Sequence, residues 1–282
     1  MLIVGNWKII MSEGKYMTNY GENLFEGAAA YYAQYRPVYP AHLIRFLVEK
    51  FADNGQQKLL DIGCGTGEIS FRLFDWFDEV IGIDTDKEML CEAMRKKELL
   101  RVSNVHFFNG DLAQFLAHQP IDKLQLVTMA KSFHWMDREA LLHTLYPLIQ
   151  SGGGVALIDQ YIPDKEITPW EQAFKQVVKK WYGAERRAGN TTYTHPVKSH
   201  ATVIEVSAFT LQQYSLAPYT YTWTIDAILG NHYSTSYGLK QFLGSETRIQ
   251  AFEQDVRETL LRLNPAGVFE EILPVSVKLA MK

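Results

Sequence analysis

Three glycines at every second position follow an apolar run that ends on an acid. Residues 59–67 have the sequence Leu-Leu-Asp-Ile-Gly-Cys-Gly-Thr-Gly, so that Gly63, Gly65 and Gly67 come shortly after Asp61. A turn this rich in glycine lets the backbone come within contact distance of a ligand. The turn follows a predicted strand and leads into a predicted helix, which is the context in which such a pattern indicates a nucleotide site.

The spacing of the glycines differs from that of a dinucleotide-binding loop. That loop has a glycine, a second glycine two residues later, and a glycine or alanine three residues further on. Counting from Gly63, the third position is Glu68. A glutamate prevents close packing of the helix on the strand and would place a carboxylate near a pyrophosphate. The loop therefore favours a ligand without a pyrophosphate and disfavours a nicotinamide-dependent oxidoreductase.

The segment resembles motif I of class I S-adenosylmethionine (SAM)-dependent methyltransferases, in which an acid-x-Gly-x-Gly-x-Gly loop holds the amino-acid end of SAM. The resemblance implies that Asp61 orients this loop or meets the SAM ammonium. It also implies that SAM is the cofactor and that the loop binds it through Gly63, Cys64, Gly65, Thr66 and Gly67. We interpret Cys64 as a small buried residue rather than a nucleophile, because no histidine or base lies near it in the sequence.

Two further acids follow predicted strands. Asp84 ends the second strand, where an acid accepts hydrogen bonds from two ribose hydroxyls. The alternative role, capping the helix predicted over 86–99, suits Asp86 better. The resemblance implies an adenine contact for Asp111, with the Leu112 amide donating to the ring, although Asn-Gly-Asp is also strong turn chemistry and both roles can coexist. Thr85 and Ala130 complete the expected cofactor-binding set.

Two other motifs narrow the resemblance. Residues 31–40 have the sequence Tyr-Tyr-Ala-Gln-Tyr-Arg-Pro-Val-Tyr-Pro, and residues 132–137 have the sequence Ser-Phe-His-Trp-Met-Asp. Together they resemble small-molecule methyltransferases of the trans-aconitate methyltransferase-like group, over residues 25–160. The later chain matches this group only loosely.

The first of these motifs contains three candidate contacts. Arg36 precedes Pro37 and is therefore biased towards an extended conformation. Its guanidinium can bind a carboxylate of SAM or of an acidic substrate bidentately, and the alternative is a surface ion pair. Tyr31 and Tyr35 lie four residues apart, and are predicted either to line the pocket around the SAM sulfonium or to pack in the core. Both alternatives remain open.

The second motif follows the fourth predicted strand, at the place where the methyl group should point. His134 is the candidate catalytic residue, as a general base or as a hydrogen-bond partner of a substrate oxygen. The alternative is a structural histidine bonded to the backbone. A carboxylate acceptor would need no base, because positioning alone would carry the rate. We assign Trp135 to the substrate pocket and expect Asp137 to cap the helix predicted over 138–149.

The elements that must position these residues alternate between strand and helix. Short apolar runs predict strands over 58–62, 79–84, 105–108, 124–129 and 155–159, with helices between them. This rhythm predicts an α/β fold with a parallel sheet covered by helices on both faces. The resemblance implies the Rossmann-like fold of class I methyltransferases, with a mostly parallel sheet of seven strands. The antiparallel end of that sheet is expected from 209–223 and 275–280. Helices are also predicted over 168–182 and 246–263.

The domain prediction follows from the same rhythm. We expect an N-terminal extension over 1–24 and a single methyltransferase domain over 25–282. Within that domain, 160–207 is predicted to be a helical, aromatic-rich insertion over the active site, which serves as a lid or substrate segment.

Composition limits the function classes. The 282 residues are 47% hydrophobic and 21% charged, with a net charge of −4, which disfavours a nucleic-acid binder or a protein that binds anionic membranes. No apolar run approaches the roughly 18 residues of a membrane helix, two cysteines make a disulfide framework unexpected, and no metal site is predicted. We expect a cytoplasmic protein, and the oligomeric state stays open.

The expected activity is methyl transfer from SAM to a small molecule, with a carboxylate or hydroxyl favoured over nitrogen or carbon nucleophiles. The Asn/Asp-Pro-Pro-Tyr/Phe clamp of nucleic-acid amino-methyltransferases is missing after the fourth strand, where the sequence is Ala-Lys-Ser-Phe-His-Trp. The alternative is a protein that binds SAM without turnover and acts as a regulator or scaffold.

Overall fold

The computed structural model of the protein describes residues 24–52, 56–160, 165–189, 191–194 and 196–282. Seven of the described strands form one sheet, and two short ones form a separate hairpin. The sheet contains β1 (Lys58–Ile62), β2 (Glu79–Asp84), β3 (Val105–Asn109), β4 (Leu124–Ala130), β5 (Ile149–Asp159), β8 (Thr210–Thr224) and β9 (Val268–Met281). The hairpin contains β6 (Arg187–Ala188) and β7 (Thr191–Thr192).

The order of strands across the sheet is β3-β2-β1-β4-β5-β9-β8. The first five run parallel, whereas β9 lies antiparallel between β5 and β8. The chain changes direction across the sheet between β1 and β4, and ligands of open α/β sheets bind in the crevice at such a point. The predicted fold, a mostly parallel seven-stranded Rossmann-like sheet with helices, is confirmed.

Helices precede and connect these strands. They are α1 (Ala29–Tyr35), α2 (Ala41–Phe51), α3 (Glu68–Leu73), α4 (Lys87–Leu100), α5 (Leu112–His118), α6 (Arg138–Leu145), α7 (Pro169–Tyr182), α8 (His200–Glu205), α9 (Ile225–Tyr233) and α10 (Glu246–Leu263). Asp86 and Asp137 cap α4 and α6 through backbone amides, as expected of N-cap acids. The helix predicted over 138–149 ends earlier, because a 3₁₀ turn containing Pro147 follows α6 and β5 already begins at Ile149.

Both faces of the sheet are covered by apolar side chains. Leu60 and Val127 pack with Leu142 of α6 on one face, and Leu59 and Leu126 pack with helices α2 and α3 on the other. All of these side chains are buried. Truncating a leucine in such a position costs about 2–5 kcal/mol, so these layers hold the strand ends in place.

A third apolar cluster joins α7, α9 and α10 above β8 and β9. Trp223 and Phe269 from the strands pack there with Phe252 and Val256 of α10. The segment between β8 and β9, which contains α9 and α10, therefore forms a second insertion beside the one predicted over 160–207. That second insertion was not anticipated from the sequence.

Two observations concern the predicted insertion and the predicted N-terminal extension, whose boundaries stay predictions. Val203 and Ile204 of α8 are buried in the core of the sheet, which places the last part of 160–207 in the body of the fold. Leu24 is also buried and packs against Trp135, whereas residues 1–23 of the predicted extension lie outside the described part of the chain. No helix in the described ranges has the length and apolarity that crossing a bilayer requires.

Candidate cofactor and acceptor site

A cavity of about 310 Å³ opens at the carboxyl ends of β1, β2 and β4, where the strand order reverses. Its size lies at the lower end of the range for ligand pockets. Its wall includes Gly63, Gly65, Asp84, Thr85, Asp111, Leu112, Ala130, Lys131 and Trp135. A smaller cavity adjoins it and shares the wall residues Tyr32, Gly63, Ala130 and Lys131.

The glycine loop has the conformation that its sequence suggested. Gly63, Gly65 and Gly67 all have positive φ angles, of 67°, 54° and 80°, a region that residues with a side chain adopt only at a cost. The Gly63 and Cys64 amides donate to the Ile83 carbonyl over 2.8 and 3.1 Å, which ties the loop to β2. The loop therefore presents its backbone to the cavity in a fixed arrangement.

Gly63→Ala is expected to destabilise the protein and to weaken SAM binding. A Cβ at this position would lie 2.5 Å from Cβ of Ser132, in addition to the strain at positive φ. Gly152→Ala is the matched control, because Gly152 also has a positive φ (79°) but its Cβ would meet nothing within 4 Å. Urea unfolding should give a loss of about 1–2 kcal/mol for the control and a larger one for Gly63→Ala. Equal losses would contradict the close contact.

Asp84 occupies the position expected of the ribose ligand. One of its carboxylate oxygens accepts from the Gly65 amide over 2.7 Å and the other from the Asp86 amide over 2.8 Å. Burial raises the pKa of this carboxyl to about 6, and the two amides oppose the shift. Because a carboxylate has about four acceptor sites, Asp84 keeps acceptor capacity for ribose hydroxyls. The loop and β2 orient it towards the cavity.

Asp61 is held differently. Its oxygens accept from the Ser70 and Thr128 hydroxyls over 2.7 and 2.8 Å, which ties β1 to α3 and β4. Burial raises the pKa of this carboxyl to about 6, although the two hydroxyls lower it. Asp61 lies in the wall of the smaller cavity, next to Gly63. This place fits either predicted role, orienting the loop or meeting an ammonium.

SAM affinity is expected to fall as the pH is lowered from 7 to 5. Ribose hydroxyls and the SAM ammonium prefer ionised Asp84 and Asp61, so binding opposes protonation of groups whose pKa is about 6. The folding stability of the free protein changes in the opposite direction. Because the pKa values of these two acids are raised in the folded state, the free protein gains stability as the pH falls below about 6. Calorimetric titration at pH 7, 6 and 5 measures the affinity. If the SAM affinity of an Asp84→Asn variant depended on pH as strongly as that of the wild type, protonation of Asp84 would not be the cause of the dependence.

Asp111 combines a structural role with a place at the cavity. It caps α5, where it accepts from the Gln114 amide over 2.9 Å while the Gln114 side chain accepts from the Asp111 amide over 2.8 Å. Asp111 and Leu112 both line the cavity. The turn alternative is therefore present in the structure, and the proposed adenine contact is compatible with it.

Arg36 lies in the wall of the smaller cavity. It ends α1 in the extended conformation that the following proline favours, with φ −68° and ψ 133°. Its guanidinium donates to the Ser234 carbonyl over 3.0 Å and stacks 4.7 Å from the centre of the Tyr32 ring. Its buried Nε has no hydrogen-bond partner among the residues that the structure describes, an arrangement that is costly unless a ligand supplies one. The Nε–H group of Arg36 could therefore donate to the carboxylate of SAM.

The structure corrects the assignment of the tyrosines in α1. Tyr32, which was not chosen from the sequence, lines the cavity, whereas Tyr31 and Tyr35 lie outside its described wall. The Tyr31 ring lies 5.3 Å from that of Tyr233, and the Tyr35 ring packs directly on Gly230 of α9. The core-packing alternative therefore describes these two residues. Tyr32 and Arg36 share one face of α1 because they are four residues apart.

In the motif over 132–137, Trp135 lines the cofactor cavity and His134 lies behind it. Trp135 is 8% exposed and lines the cavity, with its ring edge-on to Phe25 at 6.2 Å. The described wall does not include His134, whose ring lies 4.4 Å from that of Trp135 and 6.1 Å from that of Tyr193. His134 can therefore act on the site through Trp135, whereas direct contact with the acceptor is not seen in this arrangement.

Lys131, like Tyr32, is a cavity residue that sequence reasoning missed. It follows β4 directly, has a positive φ of 57° and lines both cavities. Its ammonium bonds to the Gln160 side chain and lies 5.8 Å above the Tyr39 ring. Burial, with a smaller contribution from Arg36, lowers the pKa of Lys131 to about 7. Its position at the carboxyl end of a central strand was the available signal.

Comparisons with known proteins agree with this geometry. Residues 59–153 match a family described as a methyltransferase domain. The chain is 32% identical over 140 residues to a probable S-adenosylmethionine-dependent methyltransferase of Saccharomyces cerevisiae, CRG1, covering 49% of this chain and 47% of that protein. It is 30% identical over 161 residues to an uncharacterized methyltransferase of Schizosaccharomyces pombe, covering 56% of this chain and 60% of that protein. The match thus spans about half the length of these relatives.

A solved structure extends the likeness of fold beyond the matched segment. The crystal structure of the YcgJ protein from Bacillus subtilis superposes with a TM-score of 0.53 at 18% identity, covering 86% of this chain and 99% of that protein. At this identity the likeness concerns the fold alone. Together with the glycine loop and the strand-end acids, the comparisons show that the chain carries a class I SAM-dependent methyltransferase domain.

Proposed function

We propose that the protein transfers the methyl group of SAM to a small-molecule acceptor, with a carboxylate or hydroxyl oxygen as the favoured nucleophile. The observation that carries this proposal is the juxtaposition of a half-buried lysine with the cofactor cavity. Lys131 lines the cavity that contains the glycine loop and Asp84, and also the smaller cavity that contains Arg36.

Different residues of this chain would bind different parts of SAM. Asp84 would accept from the ribose hydroxyls, Asp111 and the Leu112 amide would contact the adenine, and Arg36 would hold the carboxylate. Asp61 and the glycine loop would surround the amino-acid end. When bound, SAM supplies a methyl group made electrophilic by its sulfonium. The Tyr32 ring at the cavity wall suits such a cation, because aromatic faces attract positive charge.

The acceptor side of the site favours a small molecule with an oxygen nucleophile. Leu24, Phe25 and Trp135 enclose the cavity with apolar surface. The Lys131 ammonium could bind a carboxylate or, once deprotonated, take the proton of a hydroxyl. In the predicted insertion, Tyr193 contacts Trp135 at 5.4 Å, which supports a substrate role for that segment. The net charge of −4 is unlike the basic surface of a nucleic-acid enzyme.

Titration calorimetry with SAM, S-adenosylhomocysteine and NADH tests the cofactor, and a transfer assay tests the activity. We expect micromolar binding of the first two and none of NADH. Radiolabelled SAM with panels of carboxylic, phenolic and amine compounds should then yield S-adenosylhomocysteine and one labelled small molecule. SAM binding without transfer to any panel or to cell extract would favour the alternative, a non-catalytic SAM-binding protein.

His134→Ala is expected to leave SAM affinity unchanged and to lower turnover about tenfold. The imidazole packs against Trp135, so its removal frees a wall residue while leaving the cofactor contacts in place. A positioning role predicts a raised KM and an unchanged pH profile, whereas a base would change that profile. His143→Ala, on α6, is the control for loss of a histidine. Full activity of His134→Ala would remove the residue from the reaction.

A further inference from the structure

A second, larger cavity of about 570 Å³ lies between α7, α9 and the strands β8 and β9. It shares no described wall residue with the cofactor cavity or with the smaller cavity beside it. Helix α9 separates it from α1, because Gly230 and Tyr233 face α1 while Ile228, Asn231 and His232 face the cavity. The latter three share one face of α9, at the spacing of three and four residues.

The wall of this cavity is rich in aromatic rings. It contains Trp170, Phe174, Tyr182, Trp223 and Tyr237. Trp170 and Trp223 approach from α7 and β8, whereas Tyr182 and Phe174 approach from one side of α7. Aromatic faces and edges favour stacked or edge-on partners, and such pairs add stability beyond the burial of area. A flat ring is the shape that this wall would complement best.

Two of the three acids in the wall, Glu171 and Glu271, are paired with a lysine, whereas the third, Glu185, is exposed. Lys165 bonds to both Glu171 and Glu271, at 3.0 Å in the first case, and the Trp223 indole donates to Glu271 over 2.7 Å. Glu171 also accepts from the Thr168 amide over 2.9 Å. Because these carboxylates have partners from the protein, they do not require a cationic ligand.

Two polar atoms of α9 have no hydrogen-bond partner in the described part of the chain. One is Nε2 of His232, a residue that is only 3% exposed, and the other is the buried Oδ1 of Asn231. The rings of Tyr182 and Phe174 pack on the imidazole at 4.8 and 5.6 Å. Burial lowers the pKa of His232 to about 3, so the imidazole is neutral at physiological pH. Buried polar groups without a partner are costly and call for an explanation.

We propose that this cavity is a second small-molecule site, which takes an uncharged, flat ring compound bearing a hydroxyl or amino donor. The ring would stack among the aromatic side chains, and its donor would satisfy the amide oxygen of Asn231. The charged side chains of the wall, Lys175, Lys179, Glu185 and Arg186, are all exposed. A charged group stacked among the aromatic rings would therefore lose its hydration without a buried counterion beside it. The site is separate from the cofactor cavity, so the proposal does not depend on the proposed methyl transfer.

The test compares indole, which has a ring N–H donor, with 1-methylindole, which lacks it. Saturation-transfer NMR and calorimetry would be run on the full chain with saturating S-adenosylhomocysteine, which occupies the cofactor cavity. We expect indole to bind, 1-methylindole to bind at least fivefold more weakly, and Asn231→Leu to remove that difference. Gln254→Leu, which removes an exposed amide of α10, should behave like the wild type.

Three results would overturn the proposal. They are no indole binding at millimolar concentration, displacement of indole by S-adenosylhomocysteine, and equal affinity of the wild type for the two compounds. Circular dichroism melting checks that Asn231→Leu folds. If Asn231→Leu does not fold, the affinities of the wild type for indole and 1-methylindole still test the proposal, because that comparison needs no variant.

Discussion

Replacing Asp84 with alanine is expected to weaken SAM binding about ten- to a hundredfold. The carboxylate is half-buried at the end of β2 and lines the cofactor cavity. Hydrogen bonds to a charged group contribute about 1.5–3 kcal/mol, and 1.4 kcal/mol corresponds to a factor of ten in affinity. Two ribose hydroxyls would lose such partners. The substitution also leaves the Gly65 amide, which now donates to this carboxylate over 2.7 Å, without an acceptor.

The matched control lies on the same strand. Glu79 begins β2 and pairs with Lys58 over 2.9 Å, far from the carboxyl end of the sheet. Glu79→Ala removes the same charge without touching the cavity, so calorimetry should give wild-type affinity. Asp84→Asn separates the two effects, because its amide oxygen can still accept from Gly65. Unchanged affinity of a folded Asp84→Ala would refute the ribose assignment.

The cofactor half of the site could be predicted because it is encoded locally. Gly63, Gly65 and Gly67 mark positions whose φ angles are positive, and Asp84 and Asp111 follow strands that the apolar pattern delimits. Parallel strands bring their carboxyl ends to one edge. The sequence order of these residues is therefore enough to place them around one cavity.

The acceptor half depends on contacts between distant segments. Whether α1 points Tyr31 or Tyr32 at the cavity is decided by Gly230, on which Tyr35 packs from about two hundred residues away. The sequence shows that α1 has aromatic residues on several faces but not which face meets α9. The identity of the wall therefore required the structure.

The same reason explains the strand that was predicted too short. The prediction covered only 275–280, whereas β9 begins at Val268 and pairs with β8 along its whole length. Its first half is partly exposed, with Ile272 62% exposed, so the apolar signal is weak there. Antiparallel pairing with β8 supplies the hydrogen bonds that local propensity does not.

Lys131→Met is expected to lower kcat/KM about ten- to a hundredfold while SAM affinity stays within threefold of the wild type. The ammonium lies at the end of β4, between the two cavities, where it bonds to Gln160, which in turn donates to the Tyr219 hydroxyl over 2.7 Å. This chain of contacts fixes the lysine without neutralising it. Loss of one charge-assisted hydrogen bond to the acceptor, about 1.5–3 kcal/mol, accounts for the expected factor.

The pH profile and Lys131→Arg then identify the kind of acceptor. Because the pKa of Lys131 is lowered to about 7, a carboxylate held by the ammonium would react more slowly as the pH rises through 7. A hydroxyl deprotonated by the amine would instead react faster over the same range. Arginine keeps the charge but cannot serve as a base, so Lys131→Arg should retain activity only with a carboxylate. Lys50→Met, at an exposed position of α2 outside the described cavity walls, controls for loss of a lysine. Wild-type turnover by Lys131→Met would show that the acceptor is held by other groups.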